Sequence, residues 1–249
     1  MKKSHHHHKK HYDQQLRYFE QEFSHLSRYH LSPWQKSYVE RARKFMLHKD
    51  FKNKKFLDIA TGSGYMAIEM AKKGLNVVAC DLSPTSINNL KKIKKKVKLE
   101  NLKLVLCYAE DIPLPSNSVD YISANAILEH IPDENKAIIE WMRILKKGGR
   151  LYITVPLKFK YIWPFFWPVN YIHDRRIGHL RRYDLNDLQD KFNLTVKKVF
   201  YTGHLIKVFG VLTGMIFRSA NFEELLEKID KKYENNAYGA SNISVVFEK

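Results

Sequence analysis

Two glycines and two carboxylates form the pattern in this sequence that is best suited to binding a small molecule. Gly62 and Gly64 follow a short apolar run that reaches Asp58, and residues 65–73 have the composition of a helix. Glycine allows unusual φ angles and lets the backbone pass close to a ligand. A second apolar run ends in Asp81, and 81 − 64 = 17 residues is near the spacing at which an acid holds ribose hydroxyls. The pattern therefore predicts a nucleotide-binding βα unit.

This glycine turn has three interpretations when it is considered alone. Gly62-x-Gly64-x-x-Ala67 matches the dinucleotide-binding fingerprint. A turn that only joins a strand to a helix would also suit the same glycines. The third interpretation gives the weight to Asp58, in the pattern D-h-G-x-G-x-G with Ala60 at the first glycine position. The turn itself does not decide among the three.

The elements around the turn predict a parallel sheet. Apolar runs alternate with helical stretches, and these runs are 56–57, 76–80, 103–107, 121–124 and 150–155. Such alternation indicates βαβ crossovers, and Gly148 and Gly149 are expected to stop the helix before the fifth strand. Ligands of such sheets bind beyond the carboxyl ends of the strands. Polar residues follow four of these ends, at Asp58, Asp81, 108–111 and Asn125.

The chain is expected to form one α/β domain, because 249 residues suffice for a single large core. The predicted fold is a doubly wound, Rossmann-like, seven-stranded, mostly parallel sheet with N-terminal helices and a cap insertion. Residues 205–217 are apolar but too short to span a bilayer. The chain is predicted to have a disordered His/Lys-rich start (1–11) followed by one domain (12–249). Within this domain the predicted parts are N-terminal helices (12–50), a binding core (51–155), the cap (156–183) and C-terminal helices and strands (184–249). The first of the N-terminal helices is predicted over 12–30.

Charge and cysteine content limit the expected partners and compartment. The net charge of +17 favours acidic partners such as nucleic acid or anionic lipid. The lysine-rich stretch 91–98 has no interleaved aromatic residue, so we interpret it as a solvated helix face and do not expect nucleic acid as a partner. Cys80 and Cys107 are expected to be reduced, and the first residues have no apolar signal segment, so a cytoplasmic location is predicted. The histidine run 5–8 is either an added tag or a native metal-binding tract. No metal centre is predicted in the folded domain.

Five segments in order resemble the class I S-adenosylmethionine-dependent methyltransferases, in the small-molecule group that includes the ubiquinone/menaquinone methyltransferases. Asp58–Gly64 resembles motif I, and the segment at Asp81 resembles the acid of the second strand. The resemblance covers about residues 55–156 and displaces the dinucleotide interpretation. The five segments are 58–64, 80–83, 109–114, 128–132 and 143–151.

The resemblance implies S-adenosylmethionine as cofactor and assigns roles to the strand ends. The glycine turn would lie against the methionine portion, Asp81 would hold the ribose, and the 109–111 loop would border the adenine. Ala60 departs from the family pattern at the first glycine, and Tyr108 stands where many relatives have an acid. The cofactor-binding residues that it implies are Asp58, Ala60, Thr61, Gly62, Gly64, Asp81, Leu82, Ala109, Glu110, Asp111 and Asn125.

Residues that could bind or deprotonate the methyl acceptor are found in the cap and among the histidines. A sulfonium methyl needs in-line alignment with the acceptor, and an oxygen or carbon nucleophile can also need a general base. The candidate bases are His130, His173 and His179. Arg181 and Arg182, with Tyr183, are candidates for binding an acceptor phosphate or carboxylate.

The aromatic run 163–167 could contact a membrane surface or line an apolar pocket. The predicted function is methyl transfer to a small-molecule acceptor that is amphipathic or linked to a lipid or glycan. An RNA methyltransferase and a non-catalytic binding protein on the same fold are the alternatives. The sequence does not determine the oligomeric state of the protein.

Overall fold

The centre of the fold is a seven-stranded sheet in the order β3-β2-β1-β4-β5-β7-β6. The computed structural model describes residues 2–24, 29–204 and 220–249. Strands β1 to β5 are parallel, and β7 runs antiparallel to both of its neighbours. The predicted sheet is therefore confirmed. The strands are β1 Lys55–Ile59, β2 Asn76–Asp81, β3 Leu102–Leu106, β4 Val119–Asn125, β5 Leu145–Pro156, β6 Thr195–Thr202 and β7 Asn242–Glu248.

Helices cover both faces of this sheet. A short π-helical segment, Ala42–Met46, continues the second helix. In the described part of the chain, no helix is both long and apolar enough to cross a bilayer. The helices are α1 Lys2–Ser24, α2 Pro33–Arg41, α3 Tyr65–Lys72, α4 Pro84–Val97, α5 Glu134–Ile144, α6 Trp167–Ile177, α7 Leu185–Phe192 and α8 Ala220–Lys232.

Capping residues set where several of these helices begin. Ser32 accepts a hydrogen bond from the Gln35 N–H, and the Gln35 side chain bonds back to the Ser32 N–H, which together form a capping box. Ser83 caps α4, Asp133 caps α5 and Asp184 caps α7 through their side chains. Each cap satisfies backbone donors that the first helical turn leaves without partners.

Two apolar cores lie on opposite faces of the sheet, because successive strand residues point to opposite sides. On β1, Leu57 and Ile59 belong to one core and Phe56 to the other. Trp141 of α5 is the largest fully buried side chain of the first core. Asp58 lies within this apolar strand and is itself 3% exposed, so it requires internal hydrogen-bond partners.

The strand order changes direction between β1 and β4. From β1 the chain builds outward through β2 and β3, and from β4 it builds the other way through β5. A crevice at the carboxyl ends of β1 and β4 follows from this reversal, and it is where open α/β sheets bind their ligands.

Two sequence expectations differ from the structure. Residues 2–11 were expected to be disordered, but they belong to α1, whose residues His11 and Gln15 contact the protein core. Gly148 and Gly149 do not stop α5, because α5 ends at Ile144 and the glycines lie inside the irregular start of β5. The cap contains a helix over 167–177, with Pro168 in its first turn, where proline is tolerated.

Two further segments with expectations, residues 25–28 of the helix predicted over 12–30 and the apolar segment 205–217, lie outside the described residues.

Candidate functional site

Asp58 supports the glycine turn from beneath. Its carboxylate accepts a hydrogen bond from the Thr61 hydroxyl at 2.6 Å and another from the Ser123 hydroxyl of β4. Burial raises the pKa of Asp58 to about 6, although these hydrogen bonds oppose the shift. Asp58 therefore holds the turn against β4, and its own side chain does not line the cavity above.

The turn itself has the left-handed backbone that its glycines permit. Gly62 has φ of 52° and Gly64 has φ of 74°. Ala60, which stands where the family pattern has glycine, also adopts a positive φ of 51°. A Cβ on Gly62 would lie 3.2 Å from the Phe23 ring of α1. The absence of a side chain at Gly62 therefore keeps the space between the turn and α1 open.

Asp81 stands at the carboxyl end of β2 and faces this turn. One carboxylate oxygen accepts from the Gly62 N–H at 2.8 Å and the other from the Ser83 N–H at 2.9 Å. Burial raises the pKa of Asp81, while these backbone hydrogen bonds oppose the shift. A carboxylate has about four acceptor positions, so both oxygens keep capacity for hydroxyl donors.

A cavity of about 120 Å³ lies beyond the carboxyl ends of β1, β2, β3 and β4. Its floor comes from the strand ends and the glycine turn, and its roof comes from α1. Aromatic and aliphatic side chains form most of the wall. The lining residues are Tyr12, Gln15, Leu16, Phe19, Phe23, Ile59, Ala60, Gly62, Cys80, Asp81, Leu82, Ser83, Cys107, Tyr108, Ala109, Glu110, Ala126, Ile127, His130 and Ile131.

The loop after β3 adds a second carboxylate to the cavity. Glu110 Oε1 accepts a hydrogen bond from the Tyr12 hydroxyl of α1, whereas the buried Oε2 has no partner among the described residues. The Trp141 indole N–H donates to the Ala109 carbonyl at 2.9 Å and fixes the loop to α5. Tyr108 stacks edge-on against Tyr12, with ring centroids 5.3 Å apart. The cavity thus has an unsatisfied acceptor at a rigid position.

These residues suit S-adenosylmethionine, the cofactor that the sequence resemblance implies. The adenosine part of the cofactor carries hydroxyl and amino groups that donate hydrogen bonds, and Asp81 and Glu110 have carboxylate oxygens free to accept them. Ala60, Gly62, Leu82 and Ala109 line the same cavity. Five other expected cofactor residues lie outside the lining, namely Asp58, Thr61, Gly64, Asp111 and Asn125. They stay predictions for the cofactor, and Asn125 accepts a hydrogen bond from the Thr154 hydroxyl at 3.1 Å instead.

The three candidate histidines lie near one another, and only His130 lines the cavity. His130 and His179 have ring centroids 4.8 Å apart, and His173 and His179 are 6.1 Å apart. Burial lowers the pKa of His130 to about 3, and burial raises the pKa of the adjacent Glu129 to about 8. A catalytic role for these histidines stays a prediction.

The paired arginines are engaged with protein acceptors. Arg181 donates to the carbonyls of Ile131 and Pro132 at 2.9 and 3.1 Å. Arg182 donates to both carboxylate oxygens of Asp174. The hydroxyl of the buried Tyr183 bonds to Glu134 at 2.6 Å. These contacts fasten residues 181–183 of the cap to α5 and to the cap's own helix α6, and acceptor binding by Arg181, Arg182 and Tyr183 stays a prediction.

The roof of the cavity is the part of the site that sequence reasoning missed. Tyr12, Gln15, Leu16, Phe19 and Phe23 all belong to α1 and face the strand ends. Their spacing of three and four marks one face of a helix. Such periodicity indicates a buried face, but it does not show whether that face covers the sheet or a ligand.

The comparisons with known proteins agree with this geometry. Residues 57–153 match the family described as methyltransferase domain. The ubiquinone/menaquinone biosynthesis C-methyltransferase UbiE of Rickettsia rickettsii (strain Sheila Smith) is 33% identical over 166 residues, which cover 58% of this chain and 67% of that protein. The corresponding UbiE of Rickettsia akari is 39% identical over 105 residues, and this match spans 39% of the chain but only 42% of that protein's length.

Solved structures share the fold. A putative sarcosine dimethylglycine methyltransferase from Galdieria sulphuraria superposes with a TM-score of 0.60 at 22% identity, covering 87% of this chain and 84% of that one. The phosphoethanolamine N-methyltransferase 2 of Haemonchus contortus, solved in complex with S-adenosyl-L-methionine, gives 0.64 at 19% identity, covering 86% of this chain and 52% of that one. With the motif order, the sheet and the relatives in agreement, the chain belongs to the class I S-adenosylmethionine-dependent methyltransferases.

Proposed function

We propose that this protein transfers the methyl group of S-adenosylmethionine to a small, largely apolar acceptor that is linked to a lipid. The observation that carries the proposal is the composition of the cavity. Two carboxylates with free acceptor capacity, Asp81 and Glu110, stand at one side, and an aromatic roof from α1 covers it. The carboxylates suit the adenosine part of the donor, and the roof suits an apolar acceptor.

The donor supplies an electrophilic methyl group on a sulfonium, so the protein has to orient the acceptor and exclude water. Phe19 and Phe23 stack at 5.9 Å between centroids and close the cavity above the glycine turn. Glu20 fastens the same helix to the start of α4 by accepting hydrogen bonds from Ser83 and Thr85. The electron-rich faces of the roof also favour a cationic sulfur beneath them.

Support for a lipid-linked acceptor comes from the surface of the cap. Phe165 is 59% exposed and Ile172 is 66% exposed, whereas Phe166 is buried. Exposed apolar side chains in a patch mark interaction sites more often than isolated ones do. Arg175 and Arg176 follow on α6 and are exposed, and cations beside apolar residues suit an anionic bilayer surface. The remaining exposed members of this apolar cap surface are Trp163, Trp167, Val169, Tyr171 and Leu180.

The names of the relatives support one class of acceptor. The names of the Rickettsia proteins describe C-methylation in ubiquinone and menaquinone biosynthesis. A quinone precursor has an aromatic ring and a polyprenyl tail, which is the amphipathic character that the cap surface favours. We therefore infer that an aromatic ring carried on an isoprenoid lipid is the acceptor to test first.

Donor binding is tested by calorimetry with Asp81→Ala. Losing two charge-assisted hydrogen bonds removes about 3 kcal/mol or more, so we expect at least about 100-fold weaker binding of S-adenosylmethionine. Asp190→Ala, which removes an exposed acid of α7, is the matched control and should bind as the parent does. Binding of NADH in place of S-adenosylmethionine by the parent protein would refute the proposal.

The acceptor is tested by incubating the protein with labelled donor and with separate lipid, glycan and RNA fractions. We expect label in the lipid fraction. Label in RNA alone would refute the lipid-linked acceptor and support the RNA alternative.

Membrane contact is tested by co-sedimentation with vesicles of phosphatidylglycerol and phosphatidylethanolamine. Ile172→Asp should reduce the bound fraction, because it places a charge in the apolar cap surface. Ile139→Asp changes an isoleucine that is 70% exposed on α5 and should leave binding unchanged. Equal effects of both variants would contradict a role for the cap.

A further inference from the structure

Three side chains with metal-ligating atoms converge beside the cavity. Glu129 and His130 are neighbours in the short turn after β4, and His179 follows the end of α6. One ligand atom from each of the three lies within 4.8 Å of the others. Glu129 is 1% exposed and His130 is 5% exposed, so the cluster is inside the protein. His130 also lines the donor cavity, which places the cluster at its wall.

Two buried polar atoms of this cluster lack partners. Within the described residues, neither Glu129 Oε2 nor His130 Nδ1 has a hydrogen bond. Leaving a buried polar atom unsatisfied costs about 1–3 kcal/mol, and such atoms are rare in native proteins. The nearby cation Arg182 binds Asp174 through its Nε at 2.6 Å, so it does not supply the missing partner.

The remaining histidine is oriented by a carboxylate. Asp174 Oδ1 accepts a hydrogen bond from His179 Nδ1 at 2.8 Å, which leaves His179 Nε2 as the free ring nitrogen. This nitrogen lies 3.7 Å from Glu129 Oε1. Histidine ligands of metals characteristically donate their other N–H to a carboxylate, which fixes the tautomer and the ring orientation.

We propose that Glu129, His130 and His179 bind a divalent transition-metal ion of the zinc class, with Asp174 orienting His179. Two imidazoles and one carboxylate are a ligand set that suits Zn²⁺ or Fe²⁺ rather than Ca²⁺ or Mg²⁺. Ligand atoms of a tetrahedral site with bonds of about 2.1 Å are about 3.4 Å apart, so the cluster contracts by up to about 1.4 Å on binding.

A site with three protein ligands keeps an open coordination position. Such a position takes water or a substrate oxygen and lowers the pKa of the bound group. The bound ion also places a positive charge next to Glu129 Oε2, which has no hydrogen-bond partner among the described residues. The sequence predicted no metal centre, because Glu129 and His130 are adjacent in the chain while His179 is remote, and no short ligand spacing reveals the set.

The proposal does not rest on methyl transfer, since metal binding is measured without the methyl donor or its acceptor.

The test measures metal stoichiometry by equilibrium dialysis with Zn²⁺ and elemental analysis. The histidine run must be removed first, because it can bind metal by itself. The parent for this test therefore carries alanine at residues 5–8. We compare it with Glu129→Gln and His179→Ala, and use His173→Ala as the matched control, since His173 is an exposed histidine of the same segment that is not part of the cluster.

The expected result is one Zn²⁺ per chain in the parent and in His173→Ala, and loss of stoichiometric binding in both ligand variants. Asp174→Asn should weaken affinity by about 10–100-fold. Binding of Co²⁺ by the parent should give the visible absorption of a four-coordinate site, a readout that needs no variant to fold. A parent that binds neither ion, or variants that bind as the parent does, would overturn the proposal, whereas failure of donor binding would leave it standing.

Discussion

Asp58 is expected to make the protein less stable at neutral pH than in mild acid. In the unfolded chain its carboxyl has the ordinary pKa of 3.8, and in the folded protein burial raises the pKa to about 6. The folded state therefore holds this proton more tightly, so stability from this group is complete below the lower value and is lost as pH rises through about 6. The difference between the two pKa values corresponds to about 3 kcal/mol.

The effect is measured above about pH 5, where the buried Glu129, whose pKa is raised to about 8, contributes to the pH dependence of parent and variant alike. Between about pH 5 and about pH 7.5, Asp58 alone lowers the free energy of unfolding by about 1.4 kcal/mol. Asp81 on β2 and Tyr65 on α3 are the titratable groups that interact with it from neighbouring elements. Urea denaturation followed by tryptophan fluorescence at several pH values gives the free energy of unfolding directly.

Asp58→Asn provides the comparison, because it keeps the shape of the side chain and cannot ionise. Its amide oxygen can accept one of the two hydroxyl hydrogen bonds that Thr61 and Ser123 now donate. We expect the difference in unfolding free energy between parent and variant to change by about 1.4 kcal/mol over that pH range, with the parent losing more as pH rises. A difference that stays constant with pH would refute the raised pKa and the buried position of this carboxylate.

Three further predictions concern backbone conformation and capping, and thermal or urea unfolding measures each of them. Gly64→Ala should destabilise the protein by more than Gly74→Ala, because both have positive φ but only Gly64 has a side chain within 2.0 Å of an added Cβ; equal losses would show that the packing adjusts. Ala60→Gly should be neutral or stabilising by up to about 1 kcal/mol, since it relieves the left-handed conformation of an alanine. Ser32→Ala should cost about 1 kcal/mol through loss of the α2 cap, and an unchanged midpoint would contradict the cap's contribution.

Local sequence signals were sufficient for most of the secondary structure. Ser32 with Pro33 is a start signal for α2, and Ser83 is one for α4, because these caps act within one helical turn. The glycine pair at Gly148 and Gly149 was misleading for the opposite reason. Pairing with β4 ends α5 earlier, at Ile144, and draws the glycines into the irregular start of β5.

The site was only partly predictable. Asp81, Leu82, Ala109 and Glu110 follow strand ends, and a parallel sheet brings such positions to one rim, so order along the chain was enough to group them. Arg181 and Arg182 had the right chemistry for an anionic acceptor, but their hydrogen bonds to carbonyls and to Asp174 are contacts between segments that spacing does not reveal.

The sequence by itself determined the class of the protein, because the motif around Asp58, the acid at Asp81 and the alternation of strands and helices are all local patterns. The tertiary structure alone decided that α1 covers the cavity and that Glu129, His130 and His179 meet at its wall. Periodicity gives each helix a buried face but not the surface against which that face packs. Contacts between remote segments depend on the packing of the whole fold, which no single stretch of the chain encodes.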